Sequence, residues 1–276
     1  MNNYTITKQI LIILIFLLPF YGNGQVFYSA SGEVGILNTE QCQTKVLNNF
    51  STLDYQIIDI AIHPDGFLLA SRSNIFRVPS AQVQSWLISL DPNDASIQDT
   101  VLITSPGDFG PVTGLCCHKD GTIFLGGPGG IRQYDPNIGE YTDFLFQTSS
   151  SIGGDLVIQN DILYASLTSG KVISIDLNKA LLEEKVVIDH RSQTGCNFSG
   201  LTILENQNEL MIGASCELRN KSLYIIDTNQ QIIIDSLCSD ADFGTGRYHL
   251  TSSFEFRNNL DLLLDLDLDN SSGRTL

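Results

Sequence analysis

One grammar recurs four times along this chain of 276 residues. An apolar strand runs into a polar turn, a second apolar strand follows, and after a short gap a third strand ends in Asp before another turn. The first copy is "IIDIAIHPDGFLLASRSNIFRV", continued by "WLISLDPNDASIQDTVLI". The second is "VTGLCCHKDGTIFLGGPGGIRQYDPNIGEYTDFLF" and the third "GGDLVIQNDILYASLTSGKVISIDLNKALLEEKVVI". The fourth is "FSGLTILENQNELMIGASCELRNKSLYIIDTNQQIIIDSL". The turn centres Gly66, Gly121, Asp161 and Gln207 lie 55, 40 and 46 residues apart, and the longest interval holds an insertion around "PSAQVQSW".

Each copy supplies four short strands bounded by Gly, Asp, Asn and Pro. A single such meander cannot bury both of its faces, whereas copies stacked around an axis bury them against each other. The expectation is an all-β protein, a β-propeller of four-stranded antiparallel blades at ~40–45 residues each. The ends complete the pattern. Residues 26–47 hold three strands without a leading one, and "RYHLTSSFEF" (247–256) is a leading strand with nothing after it. Pairing the last strand with the first three closes the ring at five blades. The loosely patterned 80–112 stretch leaves a sixth open. The one helical candidate is "NKALLEEK" (178–185), too short for more than a turn between strands.

The opening "MNNYTITKQILIILIFLLPFYGNGQ" reads as a secretory signal peptide. Lys8 is its only charge, the apolar run spans Ile10 to Phe20, and Gly22 and Gly24 offer small residues for cleavage before Gln25. The division is then a leader at 1–24, a propeller at 25–257, and a linker or first strand of a truncated following domain at 258–276. Eleven apolar residues fall short of the ~20 that span a bilayer, so an uncleaved anchor is the weaker reading. A net charge of −16 argues against nucleic acid or an anionic membrane as partner, since both call for a basic face. Membrane insertion after cleavage is not expected. The isolated domain is expected to be a monomer.

All six cysteines (42, 116, 117, 196, 216, 238) follow the leader, and in an oxidising compartment some should pair. Cys196 and Cys216 flank the hairpin centred near Gln207, which makes them the first candidate disulfide. Cys42 and Cys238 fall on outer strands of adjacent blades, which makes them the second. Cys116 and Cys117 lie in an inner strand where neighbours point to opposite faces, so they read as two small buried apolar residues.

His63 and His118 each precede a turn between the first and second strands of a blade. Pro64 pre-sets φ there and Gly66 takes the positive-φ position. Both histidines are expected to be turn residues, not metal ligands. The glycines of "FLGGPGGIRQYD" (124–135) lead into a strand where a phosphate loop would lead into a helix, so a tight turn is the reading. Asp265, Asp267 and Asp269 have the 1-3-5 spacing of a calcium loop. Position 6 is Asn270 and position 12 is Leu276, and a strand with one acidic face explains the spacing equally well. Calcium is thus the only cofactor the chain suggests. No Gly-x-Ser-x-Gly, His-Glu-x-x-His or nucleophilic Cys motif is present, so no catalytic residue is named.

"IIDIAIHPDGFLLA", "GGDLVIQNDILYASLTSGKVISIDLN", "KSLYIIDTN" and "YHLTSSFEF" resemble the N-terminal propeller-like module of large secreted, gliding-motility-associated bacterial surface proteins of the type IX-secreted kind. The resemblance covers about 26–257, and "DLDLDNSSG" (265–273) is similar to the opening strand of the domain that follows the module. It implies further adhesion-like domains and a C-terminal sorting region downstream, so this chain is expected to be a fragment of a larger protein. Without that region the destination would be the periplasm in place of the cell surface. The function expected is a secreted, non-enzymatic module for extracellular binding or adhesion, with an unknown protein or glycan as partner. Two alternatives stand beside it: a propeller-type hydrolase or lyase acting on a sugar or lactone, and a structural spacer without ligand.

Overall fold

The computed structural model describes residues 26–30, 32–38, 42–50, 55–74, 82–104, 110–136, 139–141, 146–195, 197–203, 210–215, 222–239 and 248–252. Among these residues, twenty strands fall into five antiparallel sheets of four. The first sheet holds β1 (Val26–Ala30), β2 (Glu33–Asn38) and β3 (Gln43–Asn49). The second is β4 (Gln56–Ile62), β5 (Leu68–Ser73), β6 (Ser85–Leu90) and β7 (Ile97–Thr104). The third is β8 (Gly114–Cys117), β9 (Ile123–Gly127), β10 (Gly130–Asp135) and the two-residue β11 (Glu140–Tyr141). The fourth is β12 (Ile152–Gln159), β13 (Ile162–Leu167), β14 (Lys171–Asp176) and β15 (Glu184–Asp189). The fifth is β16 (Phe198–Ile203), β17 (Leu210–Ser215), β18 (Ser222–Asp227) and β19 (Ile232–Ser239).

The last strand, β20 (Tyr248–Ser252), joins the first sheet. It runs antiparallel to β1 in the register Val26↔Ser252 to Ala30↔Tyr248. The first sheet therefore takes its inner strand from one end of the chain and its other three from the opposite end, as the repeat predicts. The inner strands touch in a closed cycle: β20 meets β4, β4 meets β8, β8 meets β12, β12 meets β16, and β16 meets β20. The fold is a β-propeller. Residues 85–104, where the pattern is loose, form the third and fourth strands of the second sheet and add no further sheet.

Alternation along the strands explains how each sheet is buried on both faces. In β5, Leu68 and Ala70 pack with Phe27, Val34 and Ile36 of the first sheet, while Leu69 packs with Leu115, Ile123 and Leu125 of the third. In β8, Cys117 faces back toward the second sheet and Cys116 forward into Ile152, Leu156 and Leu163 of the fourth. Both are buried and neither is in a disulfide, as their placement on opposite faces predicts, and burial pushes the Cys117 thiol up. Val172 and Ile188 then pack with Phe198 and Leu201 of the fifth sheet. Fully burying one such aliphatic side chain contributes roughly 1.5–3 kcal/mol.

The helical expectation needs correction. Residues 178–185 form no helix: Asn178 follows Asp176 in a turn and β15 begins at Glu184. Among the described residues the helix, α1, is instead His190–Thr194. Asp189 caps it by accepting the Ser192 N–H, and Gly195 ends it in the left-handed region at φ 76°. Its buried His190 stacks on Phe198 at 4.1 Å, which ties the helix to the fifth sheet.

Candidate functional site

Two constellations of polar side chains stand out. The first is at the axis. Asp59 in β4 and Asp155 in β12 are both 0 % exposed. Asp59 Oδ1 accepts the Ile60 N–H at 2.8 Å, and its Oδ2 accepts the Leu115 N–H of the next sheet at 2.6 Å. Asp155 repeats this with Leu156 at 2.7 Å and Leu201 of the fifth sheet at 3.0 Å. A serine on the second strand adds a bond to the same neighbouring segment: Ser71 Oγ donates to Val112 O and Ser166 Oγ to Phe198 O. The second and fourth sheets thus clasp the inner strands of the third and fifth, where Gly114 and Gly200 stand in place of Asp. A Cβ at Gly114 would sit 2.9 Å from Leu156 Cγ, too close for a side chain. The two carboxyls also hydrogen-bond each other. Burial raises Asp59 well above the ordinary carboxylate range, and the bonds from Asp155, Ile60 and Leu115 only partly offset this.

The second constellation is where the first-to-second-strand turns of neighbouring sheets meet. The β4–β5 and β8–β9 turns share one geometry. His63 and His118 each accept the N–H of the glycine three residues on, and Gly66 and Gly121 have φ of 90° and 88°. The fourth sheet has a tighter turn, with Asn160 and Asp161 at φ 50° and 61°. His118 leans across to it. Its Nε2 lies 2.7 Å from Asp161 Oδ1, its Nδ1 lies 2.9 Å from Asp120 Oδ1, and Lys119 Nζ is 3.2 Å from Asp161. Desolvation lowers the His118 affinity for a proton, but the bonds to Asp120 and Asp161 outweigh it and the imidazole is held above its usual value. Asp161 is lowered, first by its bond to His118. Burial opposes ionisation of Asp120, yet the Thr122 N–H and His118 hold it down to about 2.

Between the second and third sheets the equivalent junction is open. A cleft of about 440 Å³ is lined by residues 63–65 of the β4–β5 turn, 119–122 of the β8–β9 turn and 133–136 at the end of β10. His63 stacks on Phe67 at 4.3 Å, and its Nδ1 accepts the Asp65 N–H at 3.2 Å. Burial lowers the His63 pKa, and the Asp65 carboxylate only partly offsets this.

The residues singled out in the sequence fare as follows. His63 and His118 are turn residues, and they also face neighbouring turns. The glycines at 126–130 form the β9–β10 turn, with Gly129 at φ 93°. Cys42 is disulfide-bonded. With Cys116 and Cys117 outside any disulfide, Cys196, Cys216 and Cys238 remain as its candidate partners within the chain. Cys196, Cys216 and the side chain of Cys238 lie outside the described residues, as do Asp265, Asp267 and Asp269. Among the described residues no group of three or more His, Cys, Asp or Glu side chains is arranged to hold a metal ion. No described helix is long and apolar enough to cross a membrane. Sequence reasoning missed Asp59, Asp155 and the His118–Asp161 contact. The signal for the carboxyls was present as the alternation "IIDI", "VTGL", "GGDL", "FSGL" at equivalent inner-strand positions.

No family model matches this chain, and no curated protein sequence matches it. Solved structures do. A chain of a nidogen/laminin complex is similar at 10% identity with a TM-score of 0.54, over 84% of this chain and 98% of the other. A protein of unknown function from Bacteroides caccae is similar at 11% identity with a TM-score of 0.51, over 84% of this chain and 99% of the other. At such identities the likeness establishes the fold and nothing finer.

Proposed function

We propose that this chain is an exported, non-enzymatic β-propeller module that binds a partner outside the cytoplasm through its turn face. The partner is an extracellular protein or glycan, and the parent is a larger gliding-motility-associated surface protein. The observation that carries the reading is the open junction between the second and third sheets. There a cleft of about 440 Å³ is bordered by rigid turns, while the next junction is closed by His118 and Asp161. Rigid scaffolds commonly display function on such connecting segments. The leader-like segment at 1–24 and the disulfide at Cys42 support export to an oxidising compartment. Calcium bound through Asp265, Asp267 and Asp269 belongs to the same proposal as an accessory to a following domain.

The test is binding by immobilised residues 25–276 to cell-envelope fractions and glycan arrays. The reading expects saturable binding that Asp65→Lys, a change on an exposed turn, abolishes without shifting the melting temperature. Binding that ignores every turn-face substitution overturns it.

The hydrolase or lyase reading draws on one observation, the pair of carboxyls that hydrogen-bond at the axis. Both are sealed from solvent and their oxygens already serve backbone N–H groups. That favours a structural role. Turnover of a sugar or lactone that vanishes in Asp155→Asn would instead make the pair catalytic.

A further inference from the structure

The two turn junctions are copies of one arrangement, and only one is complete. In the complete copy, His118 Nε2 meets the Asp161 carboxylate at 2.7 Å. In the other, His63 occupies the place of His118, three residues before its own glycine. Its Nδ1 accepts the Asp65 N–H at 3.2 Å and lies 3.4 Å from Asp65 Oδ2, and a ring that accepts at Nδ1 carries its proton on Nε2. Where the fourth sheet offers Asp161, the third offers Gly121. A Cβ on Gly121 would stand 4.0 Å from His63 Nε2, with no other atom within 4 Å. None of the described residues accepts this N–H, which faces the cleft.

The remaining walls define what can supply the acceptor. Asp65, Asp120 and Asp135 line the cleft. An anion would meet three carboxylates and a single cation, Lys119, whose Nζ is already 3.2 Å from Asp161. A cation would satisfy them but offer nothing to the imidazole N–H. A hydroxyl group does both, since it accepts at oxygen and donates its hydrogen. Pro64 and Pro136 add apolar rings suited to the C–H face of a pyranose. The volume lies within the ~300–1,000 Å³ usual for small-molecule sites.

We infer that the cleft between the second and third sheets binds a neutral carbohydrate unit. One ligand oxygen accepts from His63 Nε2–H where Asp161 does so for His118, and neighbouring hydroxyls donate to the carboxylates. This rests on the binding reading above and names its ligand class.

The experiment is a titration of isotope-labelled residues 25–276, followed by amide NMR shifts. The probes are methyl glycosides of glucose, galactose, mannose and N-acetylglucosamine and their β-linked disaccharides, with glucuronate and glucosamine as charged controls. At least one neutral glycoside should shift Gly121 and Thr122 saturably, ahead of both charged controls. His63→Ala should weaken it about tenfold, the effect of losing one hydrogen bond. Gly121→Asp gives His63 its own carboxylate and should abolish the shifts. Asp65→Asn, on a side chain 78% exposed, should weaken binding without affecting folding, and it serves if Gly121→Asp does not fold. Absence of any shift at 121–122 across the panel overturns the inference, as does equal binding of glucuronate. If envelope binding still depends on the turns while the glycosides fail, the binding reading stands and the carbohydrate assignment falls.

Discussion

Asp59 and Asp155 stand two sheets apart in the ring, and their buried carboxyl groups hydrogen-bond each other across the axis. One of the two must hold a proton to donate, because like charges so close in a dry site cannot both persist. The inner strands are therefore joined by a proton as well as by backbone contact.

That proton sets the sign of a pH dependence. Asp59 has its folded pKa raised above the unfolded value of 3.8. Its contribution is complete below that value and is lost as pH rises toward the folded pKa, at a slope of up to about 1.4 kcal/mol per pH unit for one proton. Asp120 and Asp161, both lowered, act in the opposite sense and lose their contribution as pH falls below 3.8. Urea midpoints measured from pH 4 to 9 should fall with rising pH. Asp59→Asn, which donates without a titrating proton, should flatten the slope.

Removing a clasp altogether costs more. Asp155→Ala strips acceptors from the buried Leu156 and Leu201 N–H groups, each worth about 1–3 kcal/mol when left unsatisfied. Chemical denaturation should show a loss of about 2–5 kcal/mol. The same change at exposed Asp94 should be near neutral.

The rim contact predicts a smaller effect. His118 sits between Asp120 and Asp161 with its pKa raised, so its contribution is present below the unfolded value of 6.5 and lost as pH rises through the folded pKa. His118→Ala should cost no more than about 1 kcal/mol, since Asp161 is partly solvated. An NMR titration should find the His118 ring titrating above the His63 ring, and Asp161→Asn should narrow the gap.

Cysteine chemistry separates by location. Cys116 and Cys117 should resist alkylation in the native state and both react once the chain unfolds, read by peptide mapping. Cys42→Ser should destabilise by about 2–4 kcal/mol.

Much of this fold is legible in the residues. The Asp-x-Asn after the third strands predicts its turns because Asp91, Asp176 and Asp227 each accept the N–H two residues on. The "HPDG" and "HKDG" turns announce their positive-φ glycines. Closure is legible because residues 26–47 lack an inner strand and 247–256 have one to give. The sites are harder to read. "IIDIAI" and "GGDLVI" place one Asp in an apolar run, and nothing local says whether the carboxyl faces solvent or a neighbouring backbone. The helix at 190–194 escapes notice because "HRSQT" has no apolar period. It forms through the Asp189 cap and the packing of His190 on Phe198. The cleft depends on which residues of one turn face the next, a relation that exists only once the sheets are stacked.

Ring closure depends on the joining of the two chain ends in one sheet. Cross-strand nuclear Overhauser contacts between β1 and β20 in labelled residues 25–276 test this most directly. The predicted result is a ladder from Val26–Ser252 to Ala30–Tyr248, with Tyr28 opposite Leu250. Contacts from residues 248–252 to any other strand edge, or none to β1, would contradict it.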